Sequence, residues 1–284
     1  AMATACCEAL LGSCTEDRNL KRFNRSEFSH PSKFNRLTGG DPNYVGYKEG
    51  GELTNFIRQA EERRAKRLGG RRANHTSCVV LFDEVDRAAD GLLTFLMNFL
   101  DQGMLASGNG DTVDARRAVI MMTTNCGQET IKSRTPDATL ESLTRGIRGE
   151  VLRDICDGRW ENLGRLGSIV PFTPLDDAGR TAVVSRQLES IESRLKASRA
   201  DRAPVLRCSP SFVDYVVSQW DDDLGGRSTR DFLEETAVEA IADALDNEAA
   251  YEPQEDRVAL VRPDQRMVIQ LDMTSDGLPT ADAS

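Results

Sequence analysis

Apolar positions along this chain form two kinds of run. Val79-Val80-Leu81-Phe82 is an unbroken set of β-forming residues, the pattern of a strand covered on both faces in a parallel sheet. Val119 to Thr123 (VIMMT) repeats it, and Leu20 to Asn24 (LKRFN) and Ser168 to Phe172 (SIVPF) are shorter candidate strands. Helical stretches lie between them. Ala1 to Leu11 is Ala-rich and stops at Gly12. Leu53 to Arg67 is a helix whose second half is almost wholly charged, a solvated face rather than a binding patch. Leu92 to Leu100 is apolar nearly all round and predicts a buried helix, and further helix is predicted around Glu141 to Cys156. From Asp176 to Ala200, Val183, Val184, Leu188, Ile191 and Leu195 recur at helical spacing. Helices are predicted over Ser211 to Trp220 and Ser228 to Asn247. A strand pair is predicted over Val258 to Val261 and Met267 to Leu271, and disorder from Thr274 onward.

Two loops interrupt this pattern. Leu37 to Gly51 (LTGGDPNYVGYKEGG) is glycine-rich around Tyr44 and Tyr47: either a loop built to touch something or an ordinary loop with its tyrosines tucked onto the core. Asp101 to Asp114 is a second loop, rich in Gly and Asp. Composition narrows the function. A net charge of −10 argues against a nucleic-acid binder driven by phosphate neutralisation. No apolar run approaches membrane-spanning length, and the first residues lack a secretory-signal pattern. Seven scattered cysteines, an odd number without a C-x-x-C, read as reduced intracellular thiols. With two histidines, neither beside a cysteine pair, a metal held mainly by protein side chains is not expected.

The chemistry concentrates where the first buried run ends. Asp83 and Glu84 follow Phe82 directly, so the strand delivers two carboxylates to the carboxyl edge of its sheet, where open α/β folds bind ligands. This is the Walker B pattern, in which the Asp holds the nucleotide's Mg²⁺ and the Glu polarises the attacking water. The plain alternative is a strand running into an acidic helix start, where carboxylates suit the macrodipole. Asn125, at the tip of the second run, reaches either the γ-phosphate and its water or the cap of the next helix.

Five stretches in order then resemble the AAA+ module of the Clp/ClpB class of protein-remodelling ATPases, most closely a second nucleotide-binding domain. GGDPNYVGYKEGGELT resembles the first pore loop, with Asn43 replacing a glycine, and VVLFDEVDRA resembles the Walker B strand and turn. DQGMLASGNGDTVDARRAVIMMTTNCG resembles the second pore loop and sensor 1 strand. GRLGSIVPFTPL places Arg165 at the arginine finger, and LGGRSTR places Arg227 at sensor 2 without the usual following Leu. The resemblance implies an α/β fold of AAA+ P-loop NTPase type, a parallel sheet flanked by helices over residues 1–172, then a smaller mostly helical domain with short strands over 173–272 and a disordered tail over 273–284. It implies ATP and Mg²⁺ as cofactors and a homo-oligomeric, hexameric ring that threads unfolded or aggregated polypeptide. A co-chaperone or peptidase is a further candidate partner, with no nucleic acid or membrane, in the cytoplasm or in an organelle behind a transit peptide. Tyr44 and Val45 would grip substrate, Asp83 would hold Mg²⁺ through water, and Glu84 and Asn125 would prepare the nucleophile. Arg165 would act on a neighbouring subunit's nucleotide, and Arg227 would contact the phosphates from the small domain.

The chain departs from that pattern in one large respect. G-x-x-G-x-G-K-[ST], the phosphate-binding loop that in the family precedes the helix matching Ala1 to Leu11, does not occur in it, nor does the strand before that loop. The expectation is therefore an N-terminally truncated fragment with strand 1 missing from its sheet, with little or no ATP hydrolysis as it stands. Two alternatives remain: a non-catalytic AAA+ scaffold subunit that lends Arg165 to an active neighbour, and a Torsin-like relative.

Overall fold

A computed structural model describes residues 2–40, 50–69, 75–88, 91–135, 137–198, 205–239, 241–242, 268–273 and 279–283. The chain divides into two compact units, Ala1–Phe172 and Thr173–Ser284.

The first unit is built on β2 (Cys78–Phe82), whose five residues are all buried. It pairs in parallel with β1 (Leu20–Phe23) on one side and β5 (Ala118–Met122) on the other. The unbroken apolar run is explained by what covers it. Val79 and Leu81 pack with Leu20 against Ala3 and Cys7 of α1 (Met2–Leu11). Cys78, Val80 and Phe82 pack on the opposite face against α2 (Phe34–Thr38), α3 (Glu52–Leu68) and α4 (Leu92–Gln102). Phe82 stacks on Phe23 with ring centroids 5.4 Å apart and meets Phe28 at 6.2 Å. β5 is an edge strand of this sheet among the described residues, and its residues are only half buried.

Three expectations are corrected here. The loop predicted over Asp101 to Asp114 contains a hairpin, β3 (Met104–Ala106) and β4 (Thr112–Asp114), which buries Leu105 and Val113. Strands of three residues are too short for alternation to show in a glycine-rich sequence. Ser168 to Phe172 forms no strand: a strand exists only through its hydrogen-bonded partner, and none pairs with it among the described residues. Val170 and Phe172 stay largely exposed. Beyond the sheet, α5 (Gln128–Lys132), α6 (Leu140–Asp154) and α7 (Trp160–Arg165) follow. Ile147, Val151 and Leu163 share a small core with Leu93 of α4.

The second unit packs α8 (Asp177–Ser198), α9 (Pro210–Ser218) and α10 (Gly226–Phe232) with a three-stranded sheet. β6 (Val205–Cys208) runs parallel to β7 (Val268–Met273), and β7 antiparallel to β8 (Pro279–Ala283). Val184, Leu188 and Ile191 face Phe212, Val216, Leu233 and Leu271, the helical spacing read from the sequence. Residues 279–283, expected to belong to a disordered tail, are a strand, because β7 offers them a free edge to pair with. The segment Val258 to Val261 lies outside the described residues.

Candidate functional site

The register of the parallel sheet builds the site. Phe23, Phe82 and Met122 lie side by side as the last residues of their strands. The next residues, Asn24, Asp83 and Thr123, therefore emerge together at the carboxyl edge. Backbone bonds hold them level: the N–H of Asp83 donates to Phe23 O (2.9 Å) and that of Thr123 to Phe82 O (3.0 Å).

Thr123 organises the carboxylates. Its hydroxyl donates a short hydrogen bond to Asp83 Oδ1 and accepts one from the N–H of Glu84 at 3.0 Å. Its carbonyl accepts from the N–H of Val85 (2.9 Å). Glu84 sits in the left-handed region at φ 58°, which a residue with a Cβ adopts only when its surroundings impose it. That turn places Asp83 and Glu84 on an open cavity of about 550 Å³ whose other wall is Asn24, Arg25, Ser26 and Ser29. The guanidinium of Arg87 stands 3.9 Å from Glu84 Oε2. Asn125 joins through its backbone, its N–H donating to Asp86 Oδ1 at 3.2 Å, and its side chain is exposed. Asn125 does not cap the following helix, whose N-cap is Gly127.

Replacing Thr123 with Val removes the hydroxyl shared by Asp83 and Glu84. About 1 kcal/mol of stability is expected to go with it, read as a lower urea midpoint at unchanged slope. An unchanged midpoint would show that the hydroxyl does not hold the turn.

Of the other sequence-predicted residues, Arg165 does not line this cavity. Arg165 ends α7 and lies against α4, with a nitrogen 3.1 Å from Met97 Sδ and another 3.6 Å from Asp101 Oδ1. Arg227 is exposed at the start of α10 in the second unit. Tyr44 and Val45 lie outside the described residues. Thr123 and the wall from Asn24 to Ser29 escaped the sequence reading. The signal for them was the register, which follows from aligning LKRFN, VVLFD and VIMMT at their carboxyl ends.

Cysteine chemistry does not compete for the site. Burial pushes the thiols of Cys7 and Cys126 up to about 12 and those of Cys78, Cys156 and Cys208 up to about 11, the opposite of an activated nucleophile. Among the described residues, no helix is long and apolar enough to cross a membrane.

Comparison with known proteins agrees with this geometry. The family model for the AAA domain (Cdc48 subfamily) matches residues 2–156. The chain is 32% identical over 246 residues to the chaperone protein ClpB of Gloeobacter violaceus, covering 85% of the chain and 26% of that protein. It is 33% identical over 194 residues to heat shock protein 104 of Schizosaccharomyces pombe, covering 67% of the chain and 20% of that protein. It therefore spans about a quarter of the length of these relatives or less. Among solved structures, the S. cerevisiae Hsp104:casein complex in its extended conformation superposes with a TM-score of 0.69 at 25% identity, over 93% of the chain and 40% of that one. With its Asp-Glu strand end at the edge of a helix-flanked parallel sheet and a family match over more than half its length, the chain belongs to the AAA domain (Cdc48 subfamily) family and is similar within it to ClpB and Hsp104.

Proposed function

We propose that this chain is part of a ring-forming ATPase that unfolds or disaggregates proteins by drawing polypeptide through a central pore. The observation that carries the reading is the pairing of Asp83 and Glu84 at the carboxyl edge of the sheet, held by Thr123 and facing the cavity. The donors fit a magnesium nucleotide: carboxylate and hydroxyl oxygens suit a hard cation, and the Arg25 guanidinium suits phosphate. Bound there, Mg·ATP supplies the electrophilic γ-phosphate.

The chain's own residues do the rest. Asp83 would hold the Mg²⁺ ion, its carboxylate fixed by the Thr123 hydroxyl. Glu84 accepts the proton of the attacking water, which Asn125 positions. Arg165 stabilises the transferring phosphoryl group of the neighbouring subunit, which makes turnover depend on assembly. Arg227, carried on the second unit, reads the phosphates and couples nucleotide state to the angle between domains. Tyr44 and Val45 grip the threaded polypeptide through apolar and aromatic contact that ignores sequence. The protein acts in the cytoplasm or an organelle lumen.

Pore-loop truncation tests the threading claim. With Tyr44→Ala, unfolding of a tagged fluorescent substrate is expected to slow by about 10-fold or more, as when a contact of ~1.4 kcal/mol is lost. Basal ATP turnover should persist. Unfolding at the wild-type rate would sink the threading role while leaving the ATPase assignment standing. A second reading is a scaffold subunit that lends Arg165 to an active neighbour. It requires that loss of Glu84 leave turnover unchanged.

A further inference from the structure

Away from the nucleotide cavity, one thiol and two carboxylates converge from separate stretches of the first unit. The ligand atoms of Cys126, Glu150 and Asp154 all lie within 4.8 Å of one another. Glu150 and Asp154 are four residues apart on α6 and so stand one above the other on a single face. Cys126 meets them from the loop between β5 and α5, its Sγ 3.8 Å from Asp154 Oδ2.

Glu150 is held as a metal-ligating carboxylate is held, and Asp154 is paired with a largely exposed arginine. Glu150 accepts from the N–H of Gly127 at 3.1 Å and takes a short hydrogen bond from the Thr130 hydroxyl. Asp154 is gripped through both oxygens by the Arg153 guanidinium, at 2.6 and 3.0 Å. Such outer partners fix the direction of first-shell donors in metal sites.

We propose that Cys126, Glu150 and Asp154 form a binding site for a divalent ion of the zinc class. Tetrahedral zinc, with Zn–S about 2.3 Å and Zn–O about 2.0–2.2 Å, needs sulfur and oxygen about 3.5 Å apart, so the observed pair requires little movement. A sulfur donor selects zinc over magnesium or calcium, which separates this site chemically from the nucleotide cavity. On binding, the S–H bond breaks, its proton leaves to solvent and a sulfur–metal bond forms, with no change of oxidation state.

The surrounding charge agrees. After burial, the charges of Asp154, Glu150 and Asp86 are what oppose a bare thiolate at Cys126, and a cation among them reverses that opposition. Asn125 is the residue before Cys126, so the ion would tie the loop carrying it to α6. Cysteine pairs and histidines together are the usual sequence signs of a protein-held metal, and the lack of a histidine beside a cysteine pair is why none was expected. This site needs neither: it joins an i, i+4 carboxylate pair to a distant cysteine.

Cobalt is the optical probe and zinc the competitor, on protein kept reduced without a thiol reagent. One equivalent of Co²⁺ is expected to give a near-ultraviolet sulfur-to-cobalt band that Zn²⁺ bleaches and excess Mg²⁺ does not. Cys126→Ser should abolish the band and weaken Zn²⁺ binding by more than about 100-fold, beyond the loss caused by removing an outer partner. Asp154→Asn should weaken binding while keeping the band, and because Asp154 is partly exposed this variant reports even if loss of Cys126 disturbs packing. A band that survives Cys126→Ser overturns the proposal and moves the ion to other thiols, such as the neighbouring Cys7 and Cys14. So does the absence of stoichiometric binding, or affinity untouched by Asp154→Asn.

Discussion

Glu84→Gln is expected to lower ATP turnover in the assembled protein by about 10²- to 10⁴-fold, the contribution of a positioned general base. Nucleotide affinity should hold, because Asp83 and the Arg25 wall are unchanged and the amide keeps the carboxylate's shape. The geometry makes the substitution clean. Glu84 is fixed by its backbone, through the N–H bond to Thr123 and the left-handed φ, rather than by a buried ion pair of its side chain. The guanidinium of Arg87 is 3.9 Å away and half exposed, so losing that contact costs little stability. The measurement is steady-state turnover beside equilibrium binding of a fluorescent nucleotide. Turnover at the wild-type rate would remove Glu84 from the chemistry and leave the scaffold reading in possession.

The same residues show what can be read from a sequence and what cannot. Val79 to Phe82 was legible because burial on both faces requires apolar residues at every position, a constraint local to the strand. The helical spacing of Val184, Leu188 and Ile191 was legible for the same reason. Ser168 to Phe172 has comparable composition and failed, since composition sets whether a segment tolerates extension and only a partner makes it a strand. Residues 279–283 failed in the opposite direction: a polar, unremarkable stretch became β8 because β7 has an edge to pair. At the site, Asp83 and Glu84 were visible as a local pattern. Thr123 was not, because its role arises from the level alignment of three strands distant in sequence.

Arg165→Ala should reduce turnover of the assembled protein by roughly 10³- to 10⁵-fold if Arg165 is the finger that reaches a neighbour's nucleotide. The structure adds a competing role that must be separated from it. Arg165 lies between Met97 and Asp101, so it also fastens the end of α7 to α4, and its loss alone could act by loosening that contact. Asp101→Asn separates the two: it removes the same partly exposed ion pair but keeps the guanidinium. A fastening role makes both variants lose stability and activity alike, whereas a finger makes Arg165→Ala inactive and leaves Asp101→Asn near wild type. Mixing supplies the decisive arm. A ring built from Arg165→Ala and Glu84→Gln subunits contains interfaces where an intact Glu84 faces an intact Arg165 from next door, so a mixture of two inactive proteins should recover turnover. A mixture that stays as inactive as its parts would place Arg165 in its own subunit's structure and not in catalysis between subunits.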